Sequence, residues 1–180
     1  PLTTKVNLGA IKKDMVNILV HGHSPIVSEM ILLAAADPEM VKAAQAAGAS
    51  GINVAGLCCT GNELLMRRGI PLAGNHSMTA LTIVTGAVEA VVADYQCIMP
   101  SMVHIAHCYH TRFITTSDKA RFTGAIHISI TPGHAMSQAR KIVEMAIAAF
   151  GQRHHRLVDI PVSPVRIVTG HSAGRRQHTL

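Results

Sequence analysis

The sequence contains no tryptophan, three phenylalanines and two tyrosines in 180 residues. Hydrophobic residues reach 48% while aromatics stay at 3%, so a core has to be built from Ala, Val, Ile, Leu and the nine Met. No uninterrupted apolar run approaches the ~20 residues that a membrane-spanning helix needs. There is no Gly-x-Gly-x-x-Gly to cradle a dinucleotide and no Walker A lysine to meet a triphosphate. Internal repeats and low-complexity tracts are also missing. The start at Pro1, with neither initiator Met nor signal-peptide pattern, suggests a processed chain or a piece of something longer.

The length suffices for one domain with a real core and hardly for two. The net charge of +6 is uneven. Residues 1–150 hold 11 Lys/Arg against 9 Asp/Glu, whereas residues 151–180 hold 5 against 1. A basic end of this kind can mark nucleic-acid binding, but it lacks aromatic interleaving, and a solvated extension is the expectation. Four cysteines, two of them adjacent, do not form the pattern of a secreted disulfide framework, which points to a reducing cytoplasm.

Along the chain, short apolar runs alternate with helical patterns. Residues 15–20 read as a strand that runs into His21-Gly-His-Ser-Pro25. Ser24 and Ser28 are helix-start candidates for residues 26–36. Asp37 then caps a second helix with Pro38 at its first position, closed at Gly48. Residues 51–57 form a second strand, broken by Cys58-Cys59 and followed by a helix to Gly69. Further strands are expected at 70–74, 88–94, 112–116 and 125–130. Helices are expected from Asn75 or Ser77 to Thr85, from Ser101 to His110, and along the amphipathic stretch from Met136 to Phe150. Strands alternating with helices predict a doubly wound, mostly parallel, Rossmann-like α/β sheet in three layers. Residues 1–150 make up this domain. Residues 151–180 are a basic extension, with a candidate last strand at 165–169 and a frayed tail.

Three of these strands end in soft or borderline metal ligands: His21 and His23, Cys58 and Cys59, and Cys97. Parallel strands put all three turns on one rim, so residues distant in sequence become neighbours. Thiolate with imidazole suits iron–sulfur, zinc or nickel rather than magnesium or calcium. A free cysteine taken alone is as well explained by core packing, so packed thiols and a metal site both stay open at this point. Cys108 falls inside a helical pattern and reads as core. His104, His107 and His110 share one helical side, a polar face that could also hold metal. His154 and His155 belong to the basic end, and Glu63 reads as a first-turn acid complementing its helix dipole. A Cys59/His23 nucleophile pair is conceivable but sits in no nucleophile motif.

At these residues the sequence resembles a known family. Val-His-Gly-His-Ser-Pro at 20–25, Ser-Glu-Met-Ile at 28–31, residues 51–63, and Asp-Tyr-Gln-Cys-Ile-Met-Pro-Ser at 94–101 resemble the anaerobic nickel–iron carbon monoxide dehydrogenases. The likeness extends to 67–71, 83–87 and 113–116 and covers nearly all of residues 7–150, whereas the last ten or so residues look unlike the family. The resemblance implies reversible oxidation of CO with water to CO2, two protons and two electrons at a nickel–iron–sulfur cluster. By position, it implies His23 and Cys59 as ligands of the iron outside the cubane and Cys97 as a ligand of a cubane iron, with His21 and Cys58 as alternates.

The family chain is several times longer. Its missing parts carry electron-transfer [4Fe–4S] clusters, the remaining cysteines and a catalytic lysine, so this chain resembles the middle Rossmann-like domain and is expected to be inactive alone. A ferredoxin-type electron acceptor, a homodimer and a cytoplasmic location are further implications, with no nucleic-acid partner. A non-catalytic iron–sulfur or metal-binding module, a relative of the hybrid-cluster hydroxylamine reductases, and a structural fragment with packed thiols are the rival readings.

Overall fold

The computed structural model describes residues 2–97 and 99–169. In chain order the strands are β1 (Leu2–Val6), β2 (Val16–His21), β3 (Ile52–Leu57), β4 (Leu72–Gly74), β5 (Ala90–Ala93), β6 (Arg112–Thr115), β7 (Ile126–His127) and β8 (Val165–Thr169). The helices are α1 (Pro25–Ala35), α2 (Pro38–Ala46), α3 (Cys58–Arg68), α4 (Thr79–Val84), α5 (Ser101–His107) and α6 (Ala135–Phe150). The strands form one sheet in the order β7-β6-β5-β2-β3-β4-β1-β8, parallel except for β1 against β8. The expected doubly wound α/β sheet is therefore present. The chain winds outward from β2 through β3 to β4, then returns to build β5, β6 and β7 on the other side.

Side-chain alternation explains the layers, because successive strand residues face opposite sides. Val16, Ile18 and Val20 of β2, with Ala90 and Val92 of β5, pack into one cluster with Ile31, Met40, Ile142, Val143 and Phe150 from α1, α2 and α6. Leu19 of β2 and Val91 of β5 face the other way and meet Ile83, Met102 and Val103 beneath α4 and α5. Aliphatic side chains dominate both clusters, as the composition requires.

Local signals hold at several helix ends. The Ser24 hydroxyl accepts from the Val27 N–H ahead of Pro25, and Asp37 does the same for Glu39 ahead of Pro38. Gly48 and Gly69 take φ of 92° and 70°, the left-handed region that glycine enters without a Cβ penalty.

Other expectations need correction. α5 stops at His107, so His104 and His107 stay on its exposed side while His110 leaves the helix and is buried. The cause lies downstream: the Thr111 hydroxyl and the Arg112 N–H donate to the carbonyls of Val88 and Glu89 (2.7 Å each), which draws the chain into β6. Cys108, expected in the core, is exposed at the end of that helix. β7 is only two residues long, Ile126 and His127 pairing with Ile114 and Thr115, although the N–H groups of Ile128 and Ile130 still bond the carbonyls of Thr115 and Thr116. Glu63 is not in a first turn, since α3 starts at Cys58; it pairs with Arg67 at 2.7 Å instead. The strand Leu2–Val6 adds to the elements that the sequence predicts.

Arg153 is the largest departure. Its side chain, read as part of a solvated basic end, is fully buried against the equally buried Glu89. Two guanidinium nitrogens reach the Glu89 carboxylate at 2.8 and 2.7 Å, and further N–H groups donate to the carbonyls of Lys13, Met15 and Ala87. His110 Nε2 and the Asn17 N–H complete the Glu89 shell at 2.7 and 2.6 Å. A buried ion pair holds together only when its remaining hydrogen-bonding capacity is met, and here it is. His155, by contrast, stays exposed and meets the Phe150 ring edge-on at 5.3 Å.

Arg153→Met should destabilise the chain by about 3–5 kcal/mol in urea unfolding, because it strands a buried carboxylate. The double variant Glu89→Met/Arg153→Met should recover a measurable part of that loss. An Arg153→Met midpoint equal to the parent's would contradict this account.

Candidate metal centre

β2, β3 and β5 lie side by side, and His21 is level with Leu57 on one side and Ala93 on the other. Each of the three loops that follow therefore leaves the sheet at the same height. They open into the crevice between β2 and β5 where the winding reverses, the place where open α/β sheets hold their ligands.

The first loop turns at Gly22, whose φ of 120° is open to glycine, and delivers His23 just before α1. The second loop is hardly a loop. Cys58, with φ of 58°, turns the chain from β3 directly into α3, leaving Cys58 and Cys59 in the first turn of the helix. This abrupt turn is possible because Gly56 and Gly61 lie back to back, and a Cβ on either would overlap the backbone of the other. The Thr60 N–H donates to the Gly22 carbonyl at 2.8 Å, which ties the second loop to the first. The third loop follows Asp94 and presents Cys97, again with a positive φ of 56°. Non-glycine residues in this region carry strain of order 1–3 kcal/mol and concentrate at functional sites.

The donor atoms of His23, Cys59 and Cys97 all lie within 4.8 Å of one another. His23 Nδ1 is 3.8 Å from the Cys97 sulfur. Two donors sharing a tetrahedral ion would stand roughly 3.6 Å apart, from metal–sulfur and metal–nitrogen bonds of about 2.3 and 2.0 Å. Cys58 lies beside this group, its sulfur 3.8 Å from that of Cys59. His21 stays apart from it. Its ring is buried, neither nitrogen has a hydrogen-bond partner among the described residues, and it stacks on His76 at 5.8 Å. Burial first, and then His76, pull its pKa down to about 4, so it is a neutral imidazole at neutral pH. His76 in turn bonds through Nδ1 to the Cys97 carbonyl at 3.0 Å.

Electrostatics at the thiols run in two directions. The N-terminus of α3 favours thiolates at Cys58 and Cys59. Burial and the Cys97 thiol raise the pKa of Cys58, and the Cys58 thiol raises that of Cys59. Crowded thiols keep one another protonated until a cation takes the place of their protons. One imidazole and two thiols suit iron, nickel or zinc. Cys59 is exposed and His23 and Cys97 half-buried, so the open side leaves room for ligands from elsewhere and for a group larger than one ion. The Cys59/His23 nucleophile reading gains nothing from the structure, since both Asp94 oxygens are occupied by backbone N–H groups and do not orient His23 as a base. Neither Asp94 nor His76 stands out in the sequence as a site residue. The only available signal was an acid at the end of a strand, just ahead of a cysteine turn.

The sequence matches the Prismane/CO dehydrogenase family over residues 1–170. Carbon monoxide dehydrogenase 1 of Methanosarcina mazei is 49% identical over 173 residues, 96% of this chain and 28% of the relative. Carbon monoxide dehydrogenase 1 of Carboxydothermus hydrogenoformans is 50% identical over 174 residues, 96% of this chain and 27% of the relative. The nickel-free, as-isolated crystal structure of the carbon monoxide dehydrogenase from Thermococcus sp. AM4 superposes with a TM-score of 0.89 at 49% identity, covering 92% of this chain and 26% of that one. The chain thus spans little more than a quarter of the relatives it matches, and over that span it belongs to the Prismane/CO dehydrogenase family.

Proposed function

We propose that this chain is the α/β segment of a nickel-dependent carbon monoxide dehydrogenase, with His23, Cys59 and Cys97 as its share of the ligands to a nickel–iron–sulfur cluster. The observation that carries the proposal is the meeting of one imidazole and two thiols at the crevice where the sheet reverses direction. When bound, such a cluster supplies the soft metal and the electron reservoir for CO + H2O → CO2 + 2 H⁺ + 2 e⁻. The chain's own residues hold and orient. His23 offers a nitrogen from a loop fixed to α1, and Cys59 offers sulfur from the first turn of α3, where the helix dipole favours the anion. Cys97 offers a second sulfur from a turn that His76 braces through its carbonyl.

Three donors cannot enclose a multinuclear cluster. The remaining ligands and the [4Fe–4S] centres that carry electrons away belong to sequence outside these 180 residues. The electrons go to an acceptor of the ferredoxin type, and the full-length protein acts as an anaerobic, cytoplasmic homodimer. Among the described residues no helix is long and apolar enough to cross a membrane.

Two outcomes test the proposal. In an intact enzyme containing this segment, Cys59→Ser and Cys97→Ser should each lower cluster iron and nickel more than about 10-fold, since a hydroxyl is a poor ligand for these soft metals. Cys108→Ser, at an exposed position, should change stability by no more than about 0.5 kcal/mol and leave metal content at the parent level. Equal metal in all three variants would mean that the cysteines only pack. The 180-residue chain alone, reconstituted with iron, sulfide and nickel, should give no CO-dependent dye reduction. Turnover there would reveal a complete ligand set inside this segment.

A further inference from the structure

We infer that Asp94 is a positioning residue that sets the placement of the His23 loop relative to the Cys97 loop. Asp94 is 2% exposed, and its carboxylate receives four backbone N–H groups from two separate loops. Oδ2 accepts from His23 at 2.5 Å and from Ser24, both in the loop after β2. Oδ1 accepts from Tyr95 and from Gln96 at 3.2 Å, in the loop that continues to Cys97. Each oxygen thus holds one loop, and a rigid group of three atoms spans the crevice. No other side chain among the described residues bonds the backbone of both loops.

The surroundings fit this role. The Asp94 N–H donates to the His21 carbonyl at 3.2 Å, so the clamp starts where β2 and β5 are still paired. Gly22 has φ of 120°, and a Cβ there would fall inside the Asp94 carboxylate, so the glycine makes room for the acid. Four N–H groups need four acceptor lone pairs, which a carboxylate has and an amide lacks. Asparagine in place of Asp94 would turn an NH2 toward two of the donors, and one loop would lose its anchor. Residues that orient metal ligands without touching the metal typically change affinity 10–100-fold.

The inference rests on the reading of His23 and Cys97 as ligands, and the test separates the two. In the parent chain the amides of His23, Ser24, Tyr95 and Gln96 should exchange with solvent as slowly as amides inside β2 and β5. Rapid exchange of these four in the parent would overturn the clamp without any variant. In Asp94→Asn the pair on one oxygen should exchange at least about 10-fold faster, while amides inside the strands keep their protection. Anaerobic titration with Co²⁺ supplies the second readout. The parent should develop thiolate-to-cobalt charge-transfer absorption, and Asp94→Asn should bind about 10–100-fold more weakly with an altered band pattern.

Unchanged cobalt affinity and spectrum in Asp94→Asn, despite freed amides, would overturn the positioning role. Parent cobalt binding that survives Cys97→Ser would reject the ligand reading, and the exchange rates would still decide the clamp. Gly22→Ala, which drives a methyl into the same carboxylate, should reproduce both effects, and parent-like exchange in that variant would contradict the inference.

Discussion

The parallel pairing of β2 with β3 and β5 is the constraint on which the site depends. His21 sits opposite Leu57 and Ala93 in the same row of the sheet, so Gly22, Cys58 and Asp94 begin their turns together. A shift of one residue in either pairing would raise one loop by about 3.3 Å and turn its strand inside out. In β2 packing and polar anchoring oppose such a slip, since Val16, Ile18 and Val20 would trade faces with Asn17 and Leu19, and Asn17 would leave its bonds to Lys12, Met15 and Ala87. Core packing and ligand convergence are thus enforced by the same register.

Backbone strain is concentrated where that register ends. Among the described residues three non-glycine positions have positive φ, and two of them are Cys58 and Cys97. Alanine or serine would suffer the same strain there, so the conformation is not a cysteine preference. It comes from neighbours that leave no alternative. The contact between Gly56 and Gly61 forces α3 to begin at once, and the turn that Asp94 opens leads the chain into Cys97. Strain of this kind persists only where surrounding contacts over-determine it.

How much could be read from the sequence follows from how local each signal is. Helix starts at Ser24 and Asp37 and the stop at Gly69 depend on residues within four positions of each other, and these were legible. So were the cysteines and histidines at strand ends, because a strand followed by a helix fixes which end of the strand a turn occupies. Interactions between distant segments were not. Glu89 and Arg153 are 64 residues apart, and a lone arginine in a charged run resembles any solvated cation until its partner is known. The strand at 165–169 was legible, but its partner β1, at the opposite end of the chain, was not, because Leu2–Val6 lacks the alternation that marks a half-buried strand. Cys108 looked like core because the helical pattern continued, whereas the start of β6 had already claimed the chain.

The two rims of the sheet divide the work. At the amino ends of β2 and β5, Glu89, Arg153, His110 and Asn17 form a closed polar knot in which the hydrogen bonds of the carboxylate and guanidinium are met inside the protein. At the carboxyl ends Asp94 is satisfied but several groups are left open: thiols crowded against one another, and a buried imidazole at His21 with no partner among the described residues. Unmet groups of this kind favour disorder in the loops that bear them. The knot opposes that tendency from the far end of the same strands, where the Asn17 N–H bonds the Glu89 carboxylate and adds to the β2–β5 ladder. The reactive rim can therefore stay incomplete within this chain without loss of the sheet that holds it.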